Sequence, residues 1–156
     1  MTTADSAGVR FPPPLIFLGF LLAGYLIGQQ VGPESLGLEI NLRRGLAFVL
    51  VIMGLLIDGV AGASLRRHAT APEPWKPTTT LVQTGPFALS RNPIYLGFSL
   101  TYVGFALAMD SVVALGLVVP VVILIDRFVI GREEAYLERQ FGETYRQYKQ
   151  KVRRWL

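Results

Sequence analysis

The sequence predicts an all-α fold: a multi-pass membrane helical bundle of about four spans, with a cytoplasmic loop and an amphipathic C-terminal helix. Three observations carry this. Hydrophobic residues make up 51% of the chain and mean hydropathy is +0.43, too apolar for a soluble domain of 156 residues. The apolar residues gather into four blocks. Charged residues are only 17% of the chain, at a net charge of +4, and lie between those blocks rather than over a surface.

A spanning helix needs about 20 mostly apolar residues. The blocks cover residues 13–31, 45–65, 94–109 and 112–130. The second meets that length easily and holds one acid, Asp58. The others are marginal alone, yet four such blocks in one short chain leave no residues for a soluble shell. Asp110 and Ser111 alone separate the third block from the fourth, so these two form an antiparallel helical hairpin. Pro120 is expected to kink the fourth. Gly24/Gly28 and Gly104/Ala108 repeat at the four-residue spacing that lets membrane helices approach closely. The N-terminus has no basic start and no small-residue cleavage site after its apolar run, so the first block reads as a retained span. A single domain over residues 1–156 is expected.

Charge placement sets the orientation. With four spans, one side carries Arg10, Arg66, Arg67, Lys76, Arg91 and the tail from Arg132 to Arg154. The other carries Arg43 and Arg44 beside Glu34 and Glu39. The basic side is cytoplasmic, and both termini belong to it. The tail, residues 131–156, places Leu137, Phe141, Tyr145, Tyr148 and Val152 at spacings of three and four, an amphipathic helix that Gly142 interrupts. Its seven basic residues also suit an anionic lipid surface. The loop between Arg66 and Arg91, rich in Pro and Thr, reads as ordered coil.

Cysteine is absent and His68 is the single histidine, so thiolate chemistry is excluded and no metal site is expected. Three polar groupings at span ends are candidates for chemistry. In GPFALSRNPIYLG, Gly85 to Gly97, Arg91 precedes an Asn-Pro helix start whose free N–H groups suit an anion, or is simply an interfacial arginine. The pair Glu133–Glu134 complements a helix dipole or grips a ligand's ammonium or ribose hydroxyls. Asp126 and Arg127 pair with each other at a span end or mark a polar pathway.

Taken together, LVQTGPFALSRNPIYLG, a short hairpin, then EEAYLERQFGETYRQYKQKV and RRWL resemble the isoprenylcysteine carboxyl methyltransferase family. That family lies in a wider group that includes membrane phospholipid N-methyltransferases. The resemblance covers about residues 64–156. It implies a helical membrane core with an S-adenosylmethionine (SAM) pocket on the cytoplasmic face, closed by the C-terminal segment. The implied cofactor site holds Thr80, Leu81, Val82, Gly85, Phe87, Asn92, Pro93, Ile94, Tyr95, Glu133 and Glu134. Arg127 and Arg91 are implied in catalysis, and Arg127 with Arg154 in holding the substrate; Arg132 is the other arginine that could contact it. Asn92 stands where eukaryotic members often have histidine, and Arg153 where a proline is usual.

Aromatic faces such as Phe87 and Tyr95 suit a sulfonium cation. A carboxylate acceptor is already ionised at pH 7 and needs only orientation, for which a guanidinium is apt. The resulting expectation is a SAM-dependent O-methyltransferase, releasing S-adenosylhomocysteine, that methylates the carboxylate of a prenylated cysteine or a similar lipidic acceptor. The alternatives are a lipid amine N-methyltransferase and a non-catalytic membrane scaffold with a lipid-binding tail. The expected partners are a prenylated or lipidic small molecule or peptide and the membrane lipids, with no nucleic acid. The short loops suggest a prokaryotic cell membrane.

Overall fold

The computed structural model describes residues 7–8, 11–32, 35–73 and 75–156. Arg10 and Glu34, used above in the charge balance, lie outside them. All regular structure is helical, with no strand among the described residues. Helix α1 runs Pro13–Val31 and α2 runs Ile40–Arg67. A coil interrupted by a 3-10 turn, Gly85–Ala88, leads to α3, Pro93–Ala108. A continuous helical stretch follows as α4 (Val112–Gly116), α5 (Val118–Leu124), a π turn (Ile125–Ile130) and α6 (Gly131–Phe141). Helix α7, Glu143–Lys151, ends the regular structure.

Three stretches, Pro13–Val31, Ile40–Arg67 and Val112–Phe141, are long and apolar enough to cross a membrane. Helix α3 is apolar but, at 16 residues, rises only about 24 Å. The outward faces carry Leu15, Leu22 and Leu26 on α1 and Phe48, Val49, Leu55 and Leu56 on α2, all exposed. A contiguous apolar surface of this kind is solvated by lipid, not water.

Local chemistry explains the breaks. Pro120 lacks an N–H and its ring opposes the carbonyl of residue 116, so the helix breaks at Leu117, one turn before the proline. Gly142 takes φ +53°, a left-handed conformation that costs a glycine little, and it separates α6 from α7. The boundary expected at residue 130 is not a break. The helix runs on to Phe141 because Glu133, Glu134 and Ala135 favour helix as well as the apolar residues before them.

Helices α2 and α3 meet along a seam of small residues. The buried residues of α2 are Ala47, Gly54 and Ala61, seven apart; Gly54 faces Gly97 and Ala47 faces Gly104 of α3. The four-residue spacings mark part of this: Gly24 touches Ala114 and Gly104 touches Ala47 and Val51, while Ala108 is exposed. Asp58 sits in the same seam against Gly97, and its buried Oδ1 has no hydrogen-bond partner among the described residues. A side chain at Gly97 would meet the Asp58 carboxyl carbon at 2.6 Å and the Gly54 carbonyl at 2.8 Å. Gly97→Ala is therefore expected to destabilise the protein by about 1–3 kcal/mol through overpacking. Gly19→Ala, where nothing lies within 4 Å, should cost nothing. Thermal unfolding of both variants in detergent checks this; equal midpoints would refute a close-packed seam.

Opposite the long coil, the bundle is closed by Asp110. Its Oδ2 accepts from Ser35 Oγ and its Oδ1 from Leu36 N, both at 3.0 Å. Arg43 donates to the Leu107 and Ala108 carbonyls, capping α3. The α3–α4 hairpin is thus tied to the start of α2.

Candidate active site

At the other end of the bundle the coil, the start of α3 and the α6–α7 arm enclose a cavity of about 880 Å³ including its open mouth.

The first wall is the coil. Thr70 holds it in shape: its Oγ1 accepts from the Thr79 and Thr80 amides, and the Thr79 hydroxyl donates to the Ala69 carbonyl at 2.8 Å. The Thr78 amide donates to Tyr136 Oη at 3.1 Å, tying the coil to α6. Thr80, Leu81 and Val82 consequently line the cavity. Phe87, on the 3-10 turn, joins them, and its carbonyl accepts from Tyr148 Oη at 2.6 Å. Gly85, at φ +62°, starts that turn and lies outside the lining.

The second wall is the start of α3, where Pro93 occupies the first turn without a missing bond. Asn92, Pro93, Ile94 and Tyr95 line the cavity. Tyr95 Oη donates to Glu133 Oε1 at 2.5 Å, and this carboxylate also faces the cavity. The other Glu133 oxygen has no hydrogen bond among the described residues. Asn92 has turned away: its Nδ2 donates to the Arg154 carbonyl at 2.9 Å.

The arm supplies the third wall through Tyr136, Leu137, Tyr145 and Tyr148. Burial pushes the Tyr148 phenol up to about 12, with Arg91 pulling the other way, so it remains a donor at neutral pH. Burial raises the Tyr145 phenol as well.

Arg91 and Glu134 line the cavity but are spent on each other. Arg91 Nε and NH2 donate to Glu134 Oε1 at 3.1 and 2.7 Å, while NH1 donates to the Val152 carbonyl at 2.7 Å and the Lys149 carbonyl at 3.3 Å. Arg154 donates to Glu134 from Nε and NH2 and to Asp126 Oδ2 from NH1. Its bonds to Glu134 raise its proton affinity further.

The cofactor residues expected from the sequence thus converge on one cavity, apart from Gly85. Arg127 and Arg154 are not brought to its lining. Arg127 points outward and is exposed. Asp126 is bonded to Arg154 and Trp155, not to Arg127. Asp126 and Arg127 both stand on the π turn, residues 125–130. Arg132 is exposed also. Thr70, Tyr136, Tyr145 and Tyr148 were not read as site residues. The last two stand in the amphipathic stripe, which gives their face but not what it covers.

Comparison with known proteins places the chain among membrane enzymes. An uncharacterized protein of Haemophilus influenzae is 44% identical over 63 residues, which is 40% of this chain and the whole of that relative. A family model described as phospholipid methyltransferase matches residues 42–144, from the second helix through both cavity glutamates and into α7. The chain belongs to the phospholipid methyltransferase family, and it is a membrane protein of methyltransferase type.

Proposed function

We propose that the chain is a SAM-dependent methyltransferase whose cavity holds SAM and whose acceptor is the polar head of a lipid-like molecule. The observation that carries the reading is the cavity's makeup. It combines aromatic faces from Phe87, Tyr95, Tyr145 and Tyr148 with a carboxylate, Glu133, that retains an unbonded oxygen. This lining fits SAM, a cation with an ammonium and ribose hydroxyls. When bound, SAM supplies an electrophilic methyl group. The chain's part is to hold it, orient the acceptor and exclude water.

In this proposal the main chain at Thr80, Leu81 and Val82, with Asn92, Pro93 and Ile94, shapes the pocket around the cofactor. Glu133 grips its ammonium or ribose. The whole chain, residues 1–156, acts as one catalytic domain, with the cavity end cytoplasmic. The acceptor suggested by resemblance is the carboxylate of a prenylated cysteine or a similar lipidic thioether, anchored by Arg127 at the membrane boundary.

The lining favours a second reading, a lipid amine acceptor. Arg91 is the basic side chain in the described lining, and its donors are committed to Glu134 and to carbonyls. Among the described residues, the lining acid with no cationic partner is Glu133, bonded by Tyr95 alone; as a carboxylate it would favour a cationic head or accept a proton from one.

Labelled methyl transfer from SAM to a panel of prenylcysteines and lipid amines separates the readings. A carboxylate acceptor gives a methyl ester that mild base releases as methanol; an N-methyl product is base-stable. Transfer to neither class, together with no affinity for S-adenosylhomocysteine, would overturn both.

A further inference from the structure

We infer that Arg154 is a positioning residue: with Trp155 it latches the C-terminal arm to the π turn, and with Arg91 it fixes Glu134 so that Glu133 is the carboxylate left facing the cavity. The positioning half of this rests on reading the cavity as the cofactor site.

The residues after α7 have no helix to hold them. Val152 is extended, at φ −122° and ψ 130°. Their place is set by bonds to distant elements. The Arg153 carbonyl accepts from Arg91 N at 3.0 Å. The Arg154 carbonyl accepts from Ser90 Oγ at 3.2 Å and Asn92 Nδ2 at 2.9 Å. Trp155 Nε1 donates to Asp126 Oδ1 at 3.0 Å, and its ring packs against the buried core. Arg154 then bridges two acids, Asp126 at 3.0 Å and Glu134 at 2.5 Å.

The charge count supports the assignment. Arg91 and Arg154 face Glu134 and Asp126, two cations against two anions. Glu134 accepts three bonds at Oε1 and one at Oε2. A carboxylate offers about four acceptor positions, so Glu134 has little left for a ligand. Glu133 is outside this balance. It is adjacent to Glu134 on α6, so whatever fixes Glu134 fixes the turn from which Glu133 enters the cavity. Arg154 touches no open part of the cavity, and the family match ends at residue 144.

Two measurements on the full chain in lipid nanodiscs test this. The chain has two tryptophans, so Trp75→Phe leaves Trp155 as the reporter. In that background Arg154→Gln should redden Trp155 emission and raise its quenching by acrylamide, with Arg154→Lys between. Asp126→Asn, nearly isosteric, should shift the emission in the same direction. Unchanged emission in both would remove the latch.

Titration with S-adenosylhomocysteine reads the positioning. Arg154→Gln should weaken affinity about tenfold, the scale of one charge-assisted bond. If Arg154 works through Glu134, the double variant Arg154→Gln/Glu134→Gln should lose no more than the worse single variant. Additive losses, or parental affinity in Arg154→Gln, would overturn the positioning role. No affinity in the parent chain would overturn the cofactor reading and the positioning role with it, and Trp155 emission would still decide the latch.

Discussion

Arg91→Ala is expected to destabilise the C-terminal arm by about 3–5 kcal/mol, the scale for removing one partner of a buried ion pair. The side chains of Arg91 and Glu134 are only 10% and 8% exposed. Taking away the guanidinium leaves Glu134 half-compensated by Arg154. It also strips the Val152 and Lys149 carbonyls of the donor that ends α7. Arg91→Lys keeps the charge, but one ammonium cannot bond Glu134 and both carbonyls as the planar fork does. It should recover less than half of the loss. Limited proteolysis in detergent checks this, because a released arm can unfold around Arg139, Arg146 and Lys149 and present their backbone to trypsin while α1 and α2 stay protected in the micelle. Parental cleavage rates in Arg91→Ala would show that the network does not hold the arm.

For Glu133→Gln, the expected result is a ten- to hundredfold loss of S-adenosylhomocysteine affinity with little loss of stability. The substitution keeps shape and removes charge, and a charge-assisted hydrogen bond contributes about 1.5–3 kcal/mol. Tyr95 can still donate to the amide oxygen, so the side chain keeps its place. Tyr95→Phe should produce a smaller loss, because the carboxylate stays but is less well aimed. Arg127→Gln, outside the lining, should leave this affinity unchanged; under the carboxylate reading it should instead raise the acceptor KM at saturating SAM. Isothermal titration of the three purified variants distinguishes these outcomes. Parental affinity in Glu133→Gln would exclude that residue from the site.

The membrane bundle was legible in the sequence because it rests on composition and block length, which survive errors of a few residues in each boundary. The cavity's walls were legible where chemistry is local: an Asn-Pro helix start beside Arg91, and an acidic pair opening the amphipathic tail. Pairings were not. Arg154 reaches Asp126 across 28 residues and Glu134 across 20, and no local pattern encodes either contact. Arg127 was named through the family resemblance, and it lies exposed at the π turn, outside the cavity lining. The seam of Ala47, Gly54 and Ala61 escaped notice because its spacing is seven, not four, and because alanine and glycine are common in such helices anyway.

The bond from Arg91 N to the Arg153 carbonyl makes the cavity depend on residues far along the chain from its first walls. Helices α2 and α3 have what their small-residue seam and the Asp110 staple need by residue 110, whereas Gly24 of α1 still lacks Ala114. The cavity's coil wall is held partly by Tyr136 and Tyr148, Glu134 needs Arg154, and Asp126 needs both Arg154 and Trp155. A chain cut short before residue 154 would therefore keep the α2–α3 seam while leaving both Glu134 and Asp126 without their arginine partner from the arm.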